Sequence, residues 1–68
     1  MKNTIKVERA KISITQAELA DRVNVSRQTI NSIEIGKFVP STVLALKIAT
    51  VFGTTVDQVF TLEMGDWR

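Results

Sequence analysis

The segment from Thr15 to Gly36 carries two helix starts and two helix stops, so it has room for only two short helices. Thr15 and Glu18 have the spacing of a reciprocal capping box, which marks the start of the first of these helices. Asn24 tolerates the left-handed backbone conformation that ends a helix, and Ser26 can cap a second helix almost at once. Gly36 ends that second helix. The segment therefore predicts two helices of about two turns each, joined by a very tight turn.

Apolar residues recur mostly at helical spacing in the rest of the chain, and one proline and three glycines are its strongest helix breakers. The spacing predicts one further helix before this pair and two after it. The expected ranges are about Asn3 or Thr4 to Ile12, about Ser41 through Val51, and Val56 to Phe60. We therefore predict an all-α fold, a compact five-helix domain with a helix-turn-helix. A single domain should cover residues 1–68, with a helical core over about 4–60.

Two details of the C-terminal helices follow from their residues. The helix over about 41–51 is apolar most of the way round, so it should be the most buried of the five. Its apolar residues, with the position just after it, are Val43, Leu44, Leu46, Ile48, Ala49 and Phe52. Thr55 and Gln58 repeat the capping-box spacing and should start the last helix.

The residue inventory excludes most catalytic and metal-binding chemistry. The chain contains no cysteine and no histidine, which removes disulfides, zinc sites of the Cys/His kind and the commonest general base. It has no glycine-rich phosphate loop and no pair of carboxylates that the pattern brings to a common cleft. We therefore predict no enzymatic activity, no metal and no cofactor, and no small-molecule ligand is evident. No apolar run is long enough for a membrane span or a secretory signal, so we expect a cytoplasmic protein.

The formal net charge is +2, and the charges are unevenly distributed along the chain. The acidic residues Asp57, Glu63 and Asp66 lie in the C-terminal part. Most of the basic residues lie in the N-terminal part, namely Lys2, Lys6, Arg9, Lys11, Arg22, Arg27 and Lys37. This layout fits either an ordinary solvated surface or one that attracts a polyanion, and the two differ in whether the basic residues share a face.

The second helix of the tight pair has a polar outward face. Once Ile30 and Ile33 are buried, the helical period places several hydrogen-bonding side chains on the opposite side. These are Arg27, Gln28, Asn31 and Ser32, with Thr29 at the edge. Such side chains can pair with base edges or phosphates in a DNA major groove, which admits a helix, but polar faces also occur on ordinary solvated helices. The absence of Lys and Glu between positions 27 and 32 favours specific hydrogen bonding.

The stretch ITQAELADRVNVSRQTINSIEIGKFVPSTVLALKIATVFGTTVDQVF, residues 14–60, closely resembles the helix-turn-helix domain of the lambda-repressor and Cro type, the XRE family of bacterial and phage regulators. The resemblance covers about two thirds of the chain. Its motifs are the T-Q-x-E-L-A opening, the V-S-R-Q-T-I-N recognition segment, the I-E-x-G-K close and the P-S-x-x-x-A-L-K-I-A helix.

The resemblance implies roles at matching positions. Gln16 is similar to a residue that contacts a phosphate and braces the start of the recognition helix, where Gln28 is similar to the main base reader. Lys37 matches a phosphate contact, and Arg9 with Glu34 is similar to a structural ion pair between the first and third helices. The full set of DNA-binding candidates is Gln16, Ser26, Arg27, Gln28, Thr29, Asn31, Ser32 and Lys37. Simpler interpretations exist for two of them: Gln16 as the first residue of a capped helix, and Lys37 as an unengaged loop lysine.

The C-terminal tail, residues 61–68, is longer than a helical domain needs. Leu62 and Met64 alternate with polar neighbours, which suggests a short β-strand, and Trp67 is too large an apolar group to leave exposed without a reason. Either these three residues form a dimer contact with a second copy, or the tail folds back onto its own domain. In the small cytolysin-type repressors, which the chain resembles in size, flanking strands help to form the dimer. Here the N-terminal strand should be minimal or missing.

These observations and the resemblance predict a homodimeric repressor of bacterial or phage type that binds double-stranded DNA. Its recognition helix, residues 26–34, should enter the major groove of an inverted-repeat operator, with the two helices about 34 Å apart. The alternative is an antitoxin-type module that binds a toxin or other protein partner and also autoregulates its operon. Neither function involves a membrane.

Overall fold

The computed structural model describes all residues from 1 to 68 and contains five α-helices. These are α1 (Ile5–Lys11), α2 (Gln16–Val23), α3 (Arg27–Glu34), α4 (Thr42–Val51) and α5 (Val56–Val59). Two short antiparallel strands, β1 (Lys2–Asn3) and β2 (Phe60–Thr61), join the two ends of the chain, with Lys2 opposite Thr61 and Asn3 opposite Phe60. The predicted five-helix fold is confirmed. None of the helices is both long and apolar enough to cross a membrane.

The tight turn between α2 and α3 forms as its residues predict. Glu18 N–H donates to Thr15 Oγ1 at 3.0 Å, and Thr15 N–H donates to Glu18 Oε1 at 3.2 Å, so the capping box is complete. Asn24 adopts the left-handed conformation with φ 60° and ψ 48°. Ser26 caps α3, because its Oγ accepts a hydrogen bond from the Thr29 N–H at 3.1 Å. These local bonds set where α2 ends and where α3 begins.

A single core connects the helices, and each helix contributes one side chain with no exposed surface. These side chains are Ile5, Leu19, Ile30, Ile48 and Val59, in the order of the helices. Ile14, Ala20, Val23, Ile33 and Phe60 are among the residues that complete the core. Because burial of apolar surface is the main favourable contribution to folding, this cluster fixes the mutual orientation of the helices.

Helix α4 has four buried residues, more than any other helix, as its apolar sequence predicted, but it is not buried all the way round. Leu44 and Ile48 face the core, but Val43 is 62% exposed and Leu46 is 53% exposed. A helix at the edge of a small domain buries one face only, because the domain has no second layer to cover the other. The uncovered face continues into an apolar groove of about 370 Å³. The groove is lined by Met1, Val39, Pro40, Thr42, Ala45, Leu46, Val56 and Phe60.

The predicted capping box at the start of α5 is wrong. Thr55 makes no capping hydrogen bond, and its hydroxyl donates instead to Asp57 Oδ1 at 2.6 Å. The Gln58 N–H donates to the Thr55 carbonyl at 3.1 Å and not to the Thr55 hydroxyl, whose hydrogen bond goes to a charged and therefore strong acceptor. The helix begins at Val56 as expected and ends at Val59, so the cap was not needed to position it.

The tail has its own arrangement. Its strand lies at Phe60–Thr61, earlier than the alternation of Leu62 and Met64 indicated, and it pairs with the minimal N-terminal strand of the same chain. A 3-10 turn over Met64–Trp67 follows. The Met1 amine lies 2.9 Å from Glu63 Oε1 and 3.1 Å from Asp66 Oδ2, which ties this turn to the N-terminus. Met64 and Trp67 are 88% and 76% exposed, so the tail does not fold its apolar side chains back onto the core.

The contact of the Met1 amine with Glu63 and Asp66 should hold the tail only within a range of pH. Hydrogen bonds from the Glu63 backbone N–H and from the Met1 amine lower the pKa of Asp66 below its ordinary value of 3.8. The contact is therefore present above that value and lost as the pH falls through the lowered pKa. Hydrogen bonds to Glu63 and Asp66 raise the pKa of the Met1 amine above its ordinary value of 8.0, so the contact is also lost as the pH rises through that raised pKa.

Trp67 is the only tryptophan and there is no tyrosine, so intrinsic fluorescence reports on the tail alone. We expect its anisotropy to be constant between about pH 4 and 8 and to fall on both sides. Far-UV circular dichroism measured in parallel separates tail release from unfolding. Asp66→Asn should lower the plateau and weaken the acid transition; identical pH profiles for the two proteins would contradict the assignment.

Candidate nucleic-acid interface

Helix α3 presents a polar face because its apolar residues are anchored in the core. Ile30 and Ile33 are almost fully buried, and Arg27, Gln28 and Asn31 are exposed on the other side. Thr29 and Ser32 are half-buried at the edges of this face. The first turn of α3 contains no acidic residue. The exposed face therefore combines hydrogen-bonding side chains with the positive end of a helix dipole and no opposing carboxylate there.

Two hydroxyls at the start of α3 are partly committed to local structure. Ser26 Oγ and Thr29 Oγ1 lie 2.9 Å apart and share a hydrogen bond, in addition to the cap between Ser26 and the Thr29 amide. A hydroxyl has one donor and two acceptor positions, so each retains only part of its capacity for another partner. Of the predicted DNA contacts, Ser26 and Thr29 are therefore the two that also stabilise the start of α3.

Gln16 braces α3 at a different place from the one that the resemblance implied. Its Nε2 donates to Asn31 Oδ1 at 3.1 Å, one turn beyond Gln28, so the brace is not at the start of the helix. Gln16 begins α2 and the two helices meet at a tight turn, which brings its side chain alongside the second turn of α3. The bond engages the Asn31 side-chain carbonyl and leaves both Asn31 amide hydrogens available to other partners. Gln16 keeps a second amide hydrogen.

The loop after α3 forms one wall of a shallow depression on this face. The N–H groups of Lys37 and Phe38 both donate to the Ser32 carbonyl, at 2.9 and 3.2 Å, after Gly36 turns the chain with φ 82°. The depression has a volume of about 320 Å³ and is lined by Gln28, Thr29, Ser32, Lys37 and Phe38. The structure thus places Lys37 beside Gln28. Phe38 was not among the predicted site residues; its only signal in the sequence was a large apolar side chain next to the candidate Lys37.

Arg9 and Glu34 form the ion pair between α1 and α3 that the resemblance implied. Arg9 Nε lies 2.8 Å from Glu34 Oε2, and Nη2 donates to Oε1 at 3.1 Å, so the pair is bidentate. The two side chains are 15% and 8% exposed. Arg9 Nη1 also donates to the Ile14 carbonyl at 3.2 Å. Arg9 therefore holds the end of α3 and the segment before α2, and it is not a free surface cation.

A further brace comes from β1. Asn3 Nδ2 donates to the Ile33 carbonyl at 2.9 Å, and Asn3 Oδ1 accepts from the Ile5 amide at 3.2 Å. The C-terminal turn of α3 is thereby attached to the N-terminal strand, a contact that the sequence analysis did not anticipate. No local pattern signals it, because the partners are 30 positions apart in the chain.

The basic residues do not all share one face. Lys11 pairs with Glu8 at 2.9 Å on the surface of α1, and Arg22 lies with Lys47 in a separate hollow between α2 and α4. Arg27 lies on α3 and Lys37 lies in the depression beside it. The number of basic residues in the N-terminal part therefore overstates the positive charge at the α3 face. Arg27 and Lys37 are the two cations placed there.

Comparisons with known proteins agree with this geometry. A helix-turn-helix family model matches residues 5–59. An uncharacterized HTH-type transcriptional regulator of Methanocaldococcus jannaschii is 49% identical over 63 residues, which cover 93% of this chain and 96% of that protein. The uncharacterized HTH-type transcriptional regulator YgzD of Bacillus subtilis is 46% identical over 63 residues, with 93% and 96% covered. A similarly described regulator of Archaeoglobus fulgidus is 48% identical over 63 residues, with 93% and 89% covered.

Two short helices at a tight turn, the second with an exposed polar face, define a helix-turn-helix protein. The extent of the family match and of the similarity to these regulators then places the chain more narrowly: it belongs to the XRE-type helix-turn-helix family.

The ion pair between Arg9 and Glu34 should contribute to the free energy of unfolding. Glu34→Gln should lower the free energy of unfolding by about 3 kcal/mol, because it leaves the Arg9 guanidinium in a site with little water and no counter-charge. Urea denaturation followed by circular dichroism measures this difference.

The Glu8–Lys11 pair supplies the control: its lysine is 64% exposed, so Lys11→Ala should change the free energy of unfolding by less than about 0.5 kcal/mol. The double substitution Arg9→Met with Glu34→Leu should recover most of the loss, because neither charge remains to be left without a partner. Equal small losses for Glu34→Gln and Lys11→Ala would show that the pair does not hold α3.

Proposed function

We propose that this protein is a sequence-specific regulator of transcription that represses by binding double-stranded DNA as a homodimer. The observation that carries the proposal is the exposed face of α3, held in place by the buried Ile30 and Ile33 and bordered by Lys37. A major groove admits a helix and displays a pattern of donors and acceptors that differs between base pairs. Membership of a helix-turn-helix family, with relatives described as transcriptional regulators, supports the same function.

The side chains of this face divide into base readers and phosphate contacts. Gln28 is exposed in the first turn of α3 and can pair bidentately with adenine, and Arg27 beside it can pair with guanine or a phosphate. Asn31 offers its amide hydrogens, because its carbonyl accepts from Gln16. It therefore suits an acceptor on a base edge or a phosphate. Lys37 and the second amide hydrogen of Gln16 suit phosphates, which position the helix without reading sequence.

A homodimer supplies what one short recognition helix lacks. An eight-residue helix is about 12 Å long and reaches only a few base pairs. Two copies related by a twofold axis read the two halves of an inverted repeat, about one helical turn apart. Leu62, Met64 and Trp67 are exposed apolar residues of the tail, and a second copy is the partner that would remove them from water. Repression then follows from occupation of a promoter.

The direct test is selection of DNA from a random library at near-physiological salt, followed by sequencing of the bound duplexes. An enriched inverted repeat would establish specific dimeric binding and define the operator. If only salt-sensitive binding without enrichment appeared, the function would move to the antitoxin-type alternative, in which the exposed apolar side chains of α4 and the tail contact a protein partner.

Substitutions on the α3 face should separate base reading from phosphate contact. Gln28→Ala should weaken the selected operator by about 1 to 3 kcal/mol and relax the preference at one base pair, because it removes a bidentate contact. Lys37→Ala should weaken all DNA sequences equally and reduce the salt dependence by about one phosphate contact. Fluorescence anisotropy of labelled duplexes at several salt concentrations measures both effects. Lys47→Ala, outside the depression, is the matched control for loss of a lysine; equal losses on all sequences for Gln28→Ala and Lys37→Ala would contradict these roles.

The tail should decide the oligomeric state. Trp67→Ala should shift the protein from dimer toward monomer in sedimentation equilibrium, because it removes the largest exposed apolar group of the tail. Ile12→Ala, an exposed apolar residue after α1, should leave the association unchanged. A dimer of equal strength in wild type and Trp67→Ala would place the interface elsewhere.

A further inference from the structure

Phe38 is the one residue of the depression on the α3 face that has no assigned role. The residue is 48% exposed, although an aromatic side chain gains more than most from burial. Its backbone is held firmly, since its N–H and that of Lys37 share the Ser32 carbonyl as acceptor. The main chain at Phe38 is therefore fixed, and the residue lines the depression together with Gln28 and Ser32.

The lining of the depression describes the ligand that would fill it. Gln28 and Ser32 are four residues apart on α3 and so lie one above the other on the same face, which gives the depression a wall of hydrogen-bonding groups. Lys37 adds a positive charge and Phe38 adds the only apolar wall. A ligand that fits carries acceptors or donors, one apolar group and nearby negative charge.

The edge of a base pair in the major groove has this combination. The 5-methyl group of thymine is the one apolar group that bases present there, and contact with an aromatic ring is one way in which proteins recognise it. Where Gln28 reads an adenine, the thymine paired with it presents a methyl group in the same groove, and a thymine in a neighbouring base pair would present another. Resting on the proposed DNA-binding function, we propose that Phe38 is a specificity-determining residue that recognises a thymine 5-methyl group next to the base pair read by Gln28.

Deletion of the methyl group from the DNA tests this directly. In the operator obtained by selection, each thymine is replaced in turn by deoxyuridine, which keeps every hydrogen bond and removes only the methyl. Wild type should bind two of these operators, one for each half-site, about fourfold more weakly, as expected for loss of one buried methyl group. The affected thymines should occupy equivalent positions in the two half-sites.

The same measurement on variants assigns the effect to a side chain. Phe38→Ala should bind the thymine operator more weakly and should not distinguish thymine from deoxyuridine at that position. Phe38→Leu should keep part of the discrimination, because an apolar contact remains. Val39→Ala is the matched control, an exposed apolar neighbour that lines the groove beside α4, and it should keep the full fourfold effect. Circular dichroism confirms that each variant is folded.

Two outcomes would overturn the assignment. Phe38→Ala that retains the fourfold discrimination would show that another side chain contacts the methyl group. Wild type that is indifferent to deoxyuridine at every position would show that no methyl group is contacted. Failure to select any operator would overturn the proposed function as well, whereas an operator without coupling to Phe38 would overturn this inference alone.

Discussion

The burial of Ile30 and Ile33 is the constraint on which the rest of the molecule depends. These two side chains pull one face of α3 into the core, and the helical period then leaves Arg27, Gln28 and Asn31 on the outside. The other helices each add a fully buried side chain to the same cluster, so they form a platform under α3. The small core of this domain therefore fixes the orientation of α3.

Polar contacts also hold α3 in place along its whole length. Ser26 caps the start of α3, Gln16 binds its middle, and Asn3 and Arg9 hold its end through the Ile33 carbonyl and Glu34. Each contact comes from a different segment of the chain. A recognition helix held in this way loses little further freedom when it binds, and binding costs are lower for groups that are already ordered. The pattern of braces is therefore consistent with a helix whose outward side chains recognise a rigid partner.

Local signals predicted the tight turn between α2 and α3 well. Thr15 with Glu18, Asn24 and Ser26 act within a few residues, so their sequence spacing determines their geometry. At Thr55 the capping-box prediction was wrong, because the hydroxyl donates to Asp57 and the Gln58 amide bonds the Thr55 carbonyl instead. The exposure of Val43 and Leu46 was also missed, since a pattern of apolar residues does not say how many faces of a helix the neighbouring helices will cover.

The sequence by itself determined the five helices, the tight turn and the residue types on the face of α3, because capping and helical periodicity depend on near neighbours in the chain. Only the tertiary structure decided that Gln16 reaches Asn31, that Asn3 holds Ile33, and that Phe38 borders the same depression as Gln28. These contacts join residues from separate elements. Their geometry follows from how the core packs, and no periodicity along the chain encodes it.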